Sequence, residues 1–351
     1  MKSASSLIRQ RLNWTLFLGA AIVLVTVFLA VFGPWLAPHD PMQENYALSS
    51  HGRIHSPPYR PLEIEGYPLG TDNFGRDMLS RILCGIRPTL AMVVVVAGVR
   101  LLLALAIGMA AGWSSGRRGQ ALEALISGAI SLPVLIVALI VISAVGIQGG
   151  LGIFILGLAL NGWAESAHLV NGKTREVRHQ AYINASRALG AGNFRIIVTH
   201  VARQILPMTW MLMAYEISST LLVTAELGFL GYYIGGGVNI EIYDFQSVNT
   251  LGLPELGQML ATSIQRLTEP TVLVVTGSVI FVIILGFNLL GDGLRREITV
   301  HHTGRALSNP FFERIAAWYD WRFLPAVEAW FRRHDVRYAL LAVAVLVGIG
   351  L

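Results

Sequence analysis

A single cysteine, Cys84, stands in 351 residues, so no intrachain disulfide can form. Charge is scarce as well: Asp, Glu, Lys and Arg make up 13% of the chain against 54% hydrophobic residues. One soluble core cannot hide that apolar fraction. Catalytic groupings are missing too, because no cluster of carboxylate, His or Ser residues falls at one depth of the apolar runs. His51 and His55 are four apart and His301 and His302 are adjacent. Neither pair has carboxylate or cysteine company at ligand spacing, so no metal site is expected. Gly172-Lys173-Thr174 has the ending of a phosphate-binding loop. Ala167 occupies the place of that loop's first glycine and no strand precedes it, which argues against ATP binding by this chain.

What is present arrives in blocks about one bilayer core thick: 14–36, 89–112, 121–146, 151–169, 205–230 and 270–291. The fold class is therefore an all-α polytopic membrane protein of six spans with a C-terminal extension. The first run is too long for a signal-peptide core and is expected to be a retained span. The formal net charge of +5 does not make a nucleic-acid surface, because the basic residues gather in alternate loops. With the N-terminus inside, inner segments carry 19 Lys plus Arg and outer segments 6, with Arg100 alone inside a span. That bias predicts a cytoplasmic N-terminus.

Four parts follow from this pattern. Residues 1–36 hold the N-terminus and first span, and 37–88 form an outer loop rich in proline. Residues 89–297 form the core, interrupted by a basic cytoplasmic loop at 171–207. The remaining 298–351 combine Arg with aromatic residues in a pattern suited to the membrane interface. Their last apolar run, Tyr338 to Leu351, is too short to span: either the sequence ends inside a seventh helix or the run is a half-buried anchor.

Within the basic loop, helical character over Ala181–Leu189 and Phe194–Leu206 is broken by Gly190-Ala191-Gly192 and expected to stop at Pro207. A helix–glycine–helix elbow suits docking onto another protein. Upstream, Pro68-Leu69-Gly70-Thr71-Asp72-Asn73-Phe74-Gly75-Arg76-Asp77-Met78-Leu79-Ser80-Arg81 precedes the second span. There Thr71 or Asp72 can cap a helix, Gly70 and Gly75 permit tight backbone, and the alternating acids and arginines can pair.

These strings carry a family resemblance. Tyr182, Asn184, Ala185, Ser186, Ala188, Leu189, Gly190, Ala191 and His200 fall where coupling loops of ABC-importer permeases seat on the ATPase, with Asn184 in place of a Glu and Ser186 in place of an Ala. The outer string, with Gly70, Thr71, Asp72, Gly75, Arg76, Asp77, Ser80 and Arg81, resembles the signature before the second span in dipeptide, oligopeptide and nickel permeases. Phe229-Leu230-Gly231, Pro254 with Gly257-Gln258-Met259-Leu260, and Phe287 to Arg295 resemble further family segments in order, with Leu256 in place of a Trp and Arg296 in place of a common Asp. Departures gather at His168, Asn171, Asn184 and Arg203. The resemblance implies a type I importer permease of the second-subunit kind in the bacterial inner membrane, moving peptides, or nickel or another small solute, by alternating access. It implies a homologous permease, two ATPase subunits and an extracytoplasmic binding protein as partners, with ATP and magnesium on the ATPases and no cofactor in this chain. The rivals are a stand-alone secondary transporter, for which no internal repeat is visible, and a membrane-embedded enzyme.

Two charges belong to no motif. Arg100 lies 12 residues past Pro88 and Glu216 14 before Leu230, which gives depths of about 18 and 21 Å. A charge at mid-membrane faces the bundle interior. Either the two pair, or each lines a wet path separately.

Overall fold

Asp77 decides where the second membrane helix begins. In the computed structural model its carboxylate accepts from the backbone N–H of Leu79 and Ser80, and the helix runs from Met78 to Trp113. Capping of the first orphan donors sets that start. The span thus begins at Met78 instead of 89, and neither Thr71 nor Asp72 is its cap. Arg81 and Arg87 made this first portion resemble loop. Pro88 sits inside the helix, where Thr89 Oγ1 donates to the Gly85 carbonyl at 2.9 Å and accepts from Leu256 N at 3.2 Å.

The structure describes residues 13–45, 48–50, 53–55, 57–146, 150–233, 239–241, 247–249, 254–264, 270–302, 321 and 325. The basic N-terminal residues, His51, the glycine run 235–237 and, but for 321 and 325, the aromatic and apolar tail from 303 onward lie outside them. In order, α1 is Trp14–Leu36, α2 Met78–Trp113, α3 Gly116–Ile130, α4 Val134–Val145, α5 Gly150–Gly162 and α6 Ala164–Arg178. Then come α7 Ala181–Ala188, α8 Asn193–Ile196, a π-helical turn Ile197–Val201, α9 Ala202–Phe229, α10 Leu256–Ile264 and α11 Thr271–His302. Two antiparallel hairpins are built from three-residue strands, β1 Leu48–Ser50 with β2 Arg53–His55 and β3 Asn239–Glu241 with β4 Ser247–Asn249. Among the described residues four helices are long and apolar enough to cross a membrane, or six if each bent pair makes one span.

Those bent pairs differ from the uninterrupted spans expected at 121–146 and 151–169. α3 and α4 meet at 83° across Pro133, and α5 and α6 at 43° across Trp163. A break frees backbone carbonyls that lipid cannot satisfy. Side chains do it instead: Asn161 Nδ2 donates to Leu132 O at 2.8 Å, and Trp163 Nε1 to Leu160 O at 2.9 Å. α6 also continues to Arg178, so residues 171–178 of the expected loop are helix, with Asn171, Thr174 and Val177 buried. Pro207 lies within α9 and does not end it.

The chain divides into two units, Met1–Arg178 with Met208–Arg296, and His179–Pro207 with Glu297–Leu351. In the first, Val93, Val96 and Ala97 of α2 join Ile142, Phe154, Leu158, Ile217, Leu221, Ile283 and Phe287 in one core. Outside it, Trp14, Phe17, Leu24, Phe28 and Trp35 of α1 are exposed, as a lipid-facing helix requires. Asn13 caps α1 and donates from Nδ2 to the Gly293 carbonyl of α11 at 3.0 Å.

Candidate functional site

Arg100 and Glu216 meet in the first unit. Arg100 Nε lies 3.0 Å from Glu216 Oε2, with both side chains at most 4% exposed. The contact is ionic and not a directed hydrogen bond, since neither atom has an aligned partner among the described residues. The rest of the guanidinium is used up. Nη1 donates to Thr220 Oγ1 at 2.8 Å, and Nη2 to the Gly162 carbonyl at 2.5 Å and weakly to Ser219 Oγ at 3.5 Å. Ser166 Oγ donates to Glu216 Oε1 in a short bond. One buried cation therefore joins α2, the α5–α6 break and α9, and it satisfies a carbonyl that the break released. Isolated burial of either charge would cost several kcal/mol.

Sequence reasoning found the two charges and missed their neighbours. Gly162 is the clearest omission: a Cβ there would overlap the Arg100 guanidinium. Gly162 looks like any residue of an apolar run, and only the fold reveals that an arginine comes from 62 residues away. Ser166 and Thr220 were equally silent.

Beside the pair lies a half-open cavity of about 330 Å³ between α2, α6, α9 and α11. Arg100, Glu165, Ser166, Glu216, Ser219 and Asn288 give it a polar wall, and Leu169, Leu212, Leu222 and Ile284 an apolar one. Tyr215 also lines it and donates to Asp292 Oδ1 at 2.6 Å.

The outer string folds as a knot against the start of α2. Asp72 Oδ2 takes Arg76 Nε at 2.7 Å and lies 3.6 Å from Arg81 Nε. Arg81, 1% exposed, also donates to Pro41 O at 3.4 Å and to Gln258 Oε1 of α10 at 3.3 Å. Thr71 pairs with Asp77 in a short antiparallel bridge, and Thr71 Oγ1 accepts from Tyr59 N. Gly70 and Gly75 take positive φ in this turn. Ser80 Oγ donates to Asp77 Oδ2 at 2.5 Å, and His39 Nδ1 lies 3.4 Å from the same oxygen. Burial, aided by the Asp77 charge, raises the Tyr67 hydroxyl above its ordinary range, so it stays protonated. All eight residues of the outer motif come together in this turn and the start of α2.

In the second unit, α7 ends in a Schellman turn. Gly190 N donates to Arg187 O at 2.9 Å and Ala191 N to Ser186 O at 3.1 Å, with Gly190 at φ +83°. Ile183, Ile196, Val201 and Ile205 are buried, while Asn184, Ala185 and Ala188 are exposed. Ser186 Oγ sits 3.3 Å from His200 Nε2, whose ring lies 5.8 Å from that of Tyr182. Leu189 at the bend is 89% exposed.

Similarity to known proteins agrees with this architecture. Residues 104–299 match the model of the binding-protein-dependent transport system inner membrane component, and 6–58 that of the N-terminal TM domain of oligopeptide transport permease C. The nickel transport system permease protein NikC of Escherichia coli (strain K12) is 29% identical over 82% of this chain and 95% of its own length. The dipeptide transport system permease protein DppC of Haemophilus influenzae is 30% identical over 79% and 88%. The oligopeptide transport system permease protein OppC of Bacillus subtilis is 24% identical over 83% and 87%. The chain belongs to the family of inner-membrane permease components of binding-protein-dependent ABC importers.

Proposed function

We propose that this chain couples ATP hydrolysis on separate subunits to solute entry through residues 181–205, and has no ATP site of its own. The exposed Leu189 at the α7–α8 elbow carries the reading. A leucine fully presented to solvent beyond a hydrogen-bonded turn costs apolar exposure unless another protein covers it. Tyr182 and Phe194 of the same unit are also exposed. An ATPase groove is the proposed cover, with ATP and magnesium bound there.

The remaining assignments follow the same logic. The N-terminus is cytoplasmic, because Lys and Arg are biased 19 to 6 toward the segments on its side. A homologous permease completes the path, and an extracytoplasmic binding protein delivers cargo. Relatives named for nickel, dipeptide and oligopeptide transport suggest a peptide or another small solute as that cargo.

Leu189→Glu tests the coupling. The variant inserts and assembles normally in the first unit's contacts, yet its substrate-stimulated ATP hydrolysis falls at least about tenfold, as loss of a well-buried leucine anchor predicts. Undiminished stimulation in the intact complex would refute docking at the elbow.

A further inference from the structure

The cavity beside the ion pair has one charge left over. Arg100 is 3% exposed and its nitrogens are committed to Glu216, Thr220, Gly162 and Ser219. Glu216 is neutralised by it and further held by Ser166. Glu165 lines the same cavity, is exposed, and makes no hydrogen bond or ion pair among the described residues. Two carboxylates against one guanidinium leave a formal charge of −1 on the wall. Tyr215 is occupied with Asp292, so the accessible lining offers neutral hydroxyls, the Asn288 amide and the Glu165 carboxylate, which feels the Arg100 and Glu216 charges but bonds to neither.

We infer that this cavity is a transit subsite for a positively charged group of the cargo, a protonated amine or a divalent cation, with Glu165 as its anchor. The inference rests on the transport reading above and adds what that reading leaves open, the charge the path accepts. An anionic group finds no uncommitted cation here and meets a repelling carboxylate. A cationic group gains a partner without stripping Arg100 from the break it holds. The volume of about 330 Å³ has room for roughly ten waters, hence for a hydrated ion or the amino end of a short peptide. A single carboxylate in a half-open cavity binds weakly enough to release, as transit demands.

The test reads the charge directly. In a Cys84→Ala background, Leu169→Cys places a thiol one helical turn from Glu165 on the same cavity wall. In membranes carrying the assembled transporter, its rates with a trimethylammonioethyl and a sulfonatoethyl methanethiosulfonate are compared, each normalised to a free thiol. The cationic reagent is favoured about fivefold at low salt, the scale of one partly screened charge. Glu165→Gln brings the ratio close to one, and Glu165→Asp keeps it. Glycylglycine, N-acetylglycylglycine and nickel chloride then identify the source. Slowing by glycylglycine but not by its acetylated form assigns an ammonium, and slowing by nickel alone assigns a metal ion. A normalised ratio near one, a ratio indifferent to Glu165→Gln, or slowing by none of the three overturns the inference. Labelling needs neither ATP nor uptake, so a complex that fails to transport would sink the transport reading and leave this result standing.

Discussion

Arg100 does more than balance Glu216. Its Nη2 holds the Gly162 carbonyl, which the bend between α5 and α6 leaves without a helical donor. Removing either charge therefore leaves a buried ion alone, and removing Arg100 also orphans a carbonyl. Arg100→Gln and Glu216→Gln are each expected to lower the thermal stability of the purified complex, Arg100→Gln by more. The double variant should cost less than the two losses added, with a coupling of about 1–3 kcal/mol. Strictly additive losses would mean that the two side chains do not act as a pair. The charges were legible in the sequence because ionisable residues inside apolar runs are conspicuous. Their partners Gly162, Ser166 and Thr220 were not, since small and hydroxylated residues are ordinary in membrane helices.

Elements were legible in existence and less so in extent. Among the described residues each apolar block coincides with a helix or a bent pair of helices, yet hydropathy placed the start of α2 after Arg87, because two arginines interrupt the apolar run there. The helix instead begins at Asp77, and Arg81 is buried by Asp72, Gln258 and the Pro41 carbonyl. Pattern alone cannot show that a charge is answered from 177 residues away. The bends escaped for the complementary reason: 121–146 is a continuous apolar run, and nothing in it shows that Asn161 will satisfy Leu132 O where α3 and α4 meet at 83°. Pro207 misled in the other direction, as a proline within α9 that the helix tolerates. The cap makes a prediction at this scale. Asp77→Ala should destabilise the complex by about 1 kcal/mol or more, because the cap is lost along with its bonds to Ser80 and His39. Asp77→Asn should retain most of the stability, and a melting temperature for Asp77→Ala equal to the parent's would remove Asp77 as the determinant of the α2 start.

At the scale of the molecule, two features carry the proposed function. The first unit holds a buried ion network and a cavity with charge to spare, and the second presents an elbow whose turn leaves Leu189 uncovered. The elbow was legible because Gly190 ends α7 in a turn only glycine adopts easily, and helix, glycine and helix follow one another in the sequence. The cavity was not, because its lining comes from four helices scattered between residues 100 and 288. The most direct measurement reconstitutes this chain with the proposed partner permease, ATPase subunits and binding protein in proteoliposomes, and follows solute accumulation with ATP on the ATPase side. Uptake that requires ATP, the binding protein and this chain together, and that Leu189→Glu abolishes, is the predicted result. Uptake that proceeds without ATP, or equally well when this chain is omitted, would contradict the account.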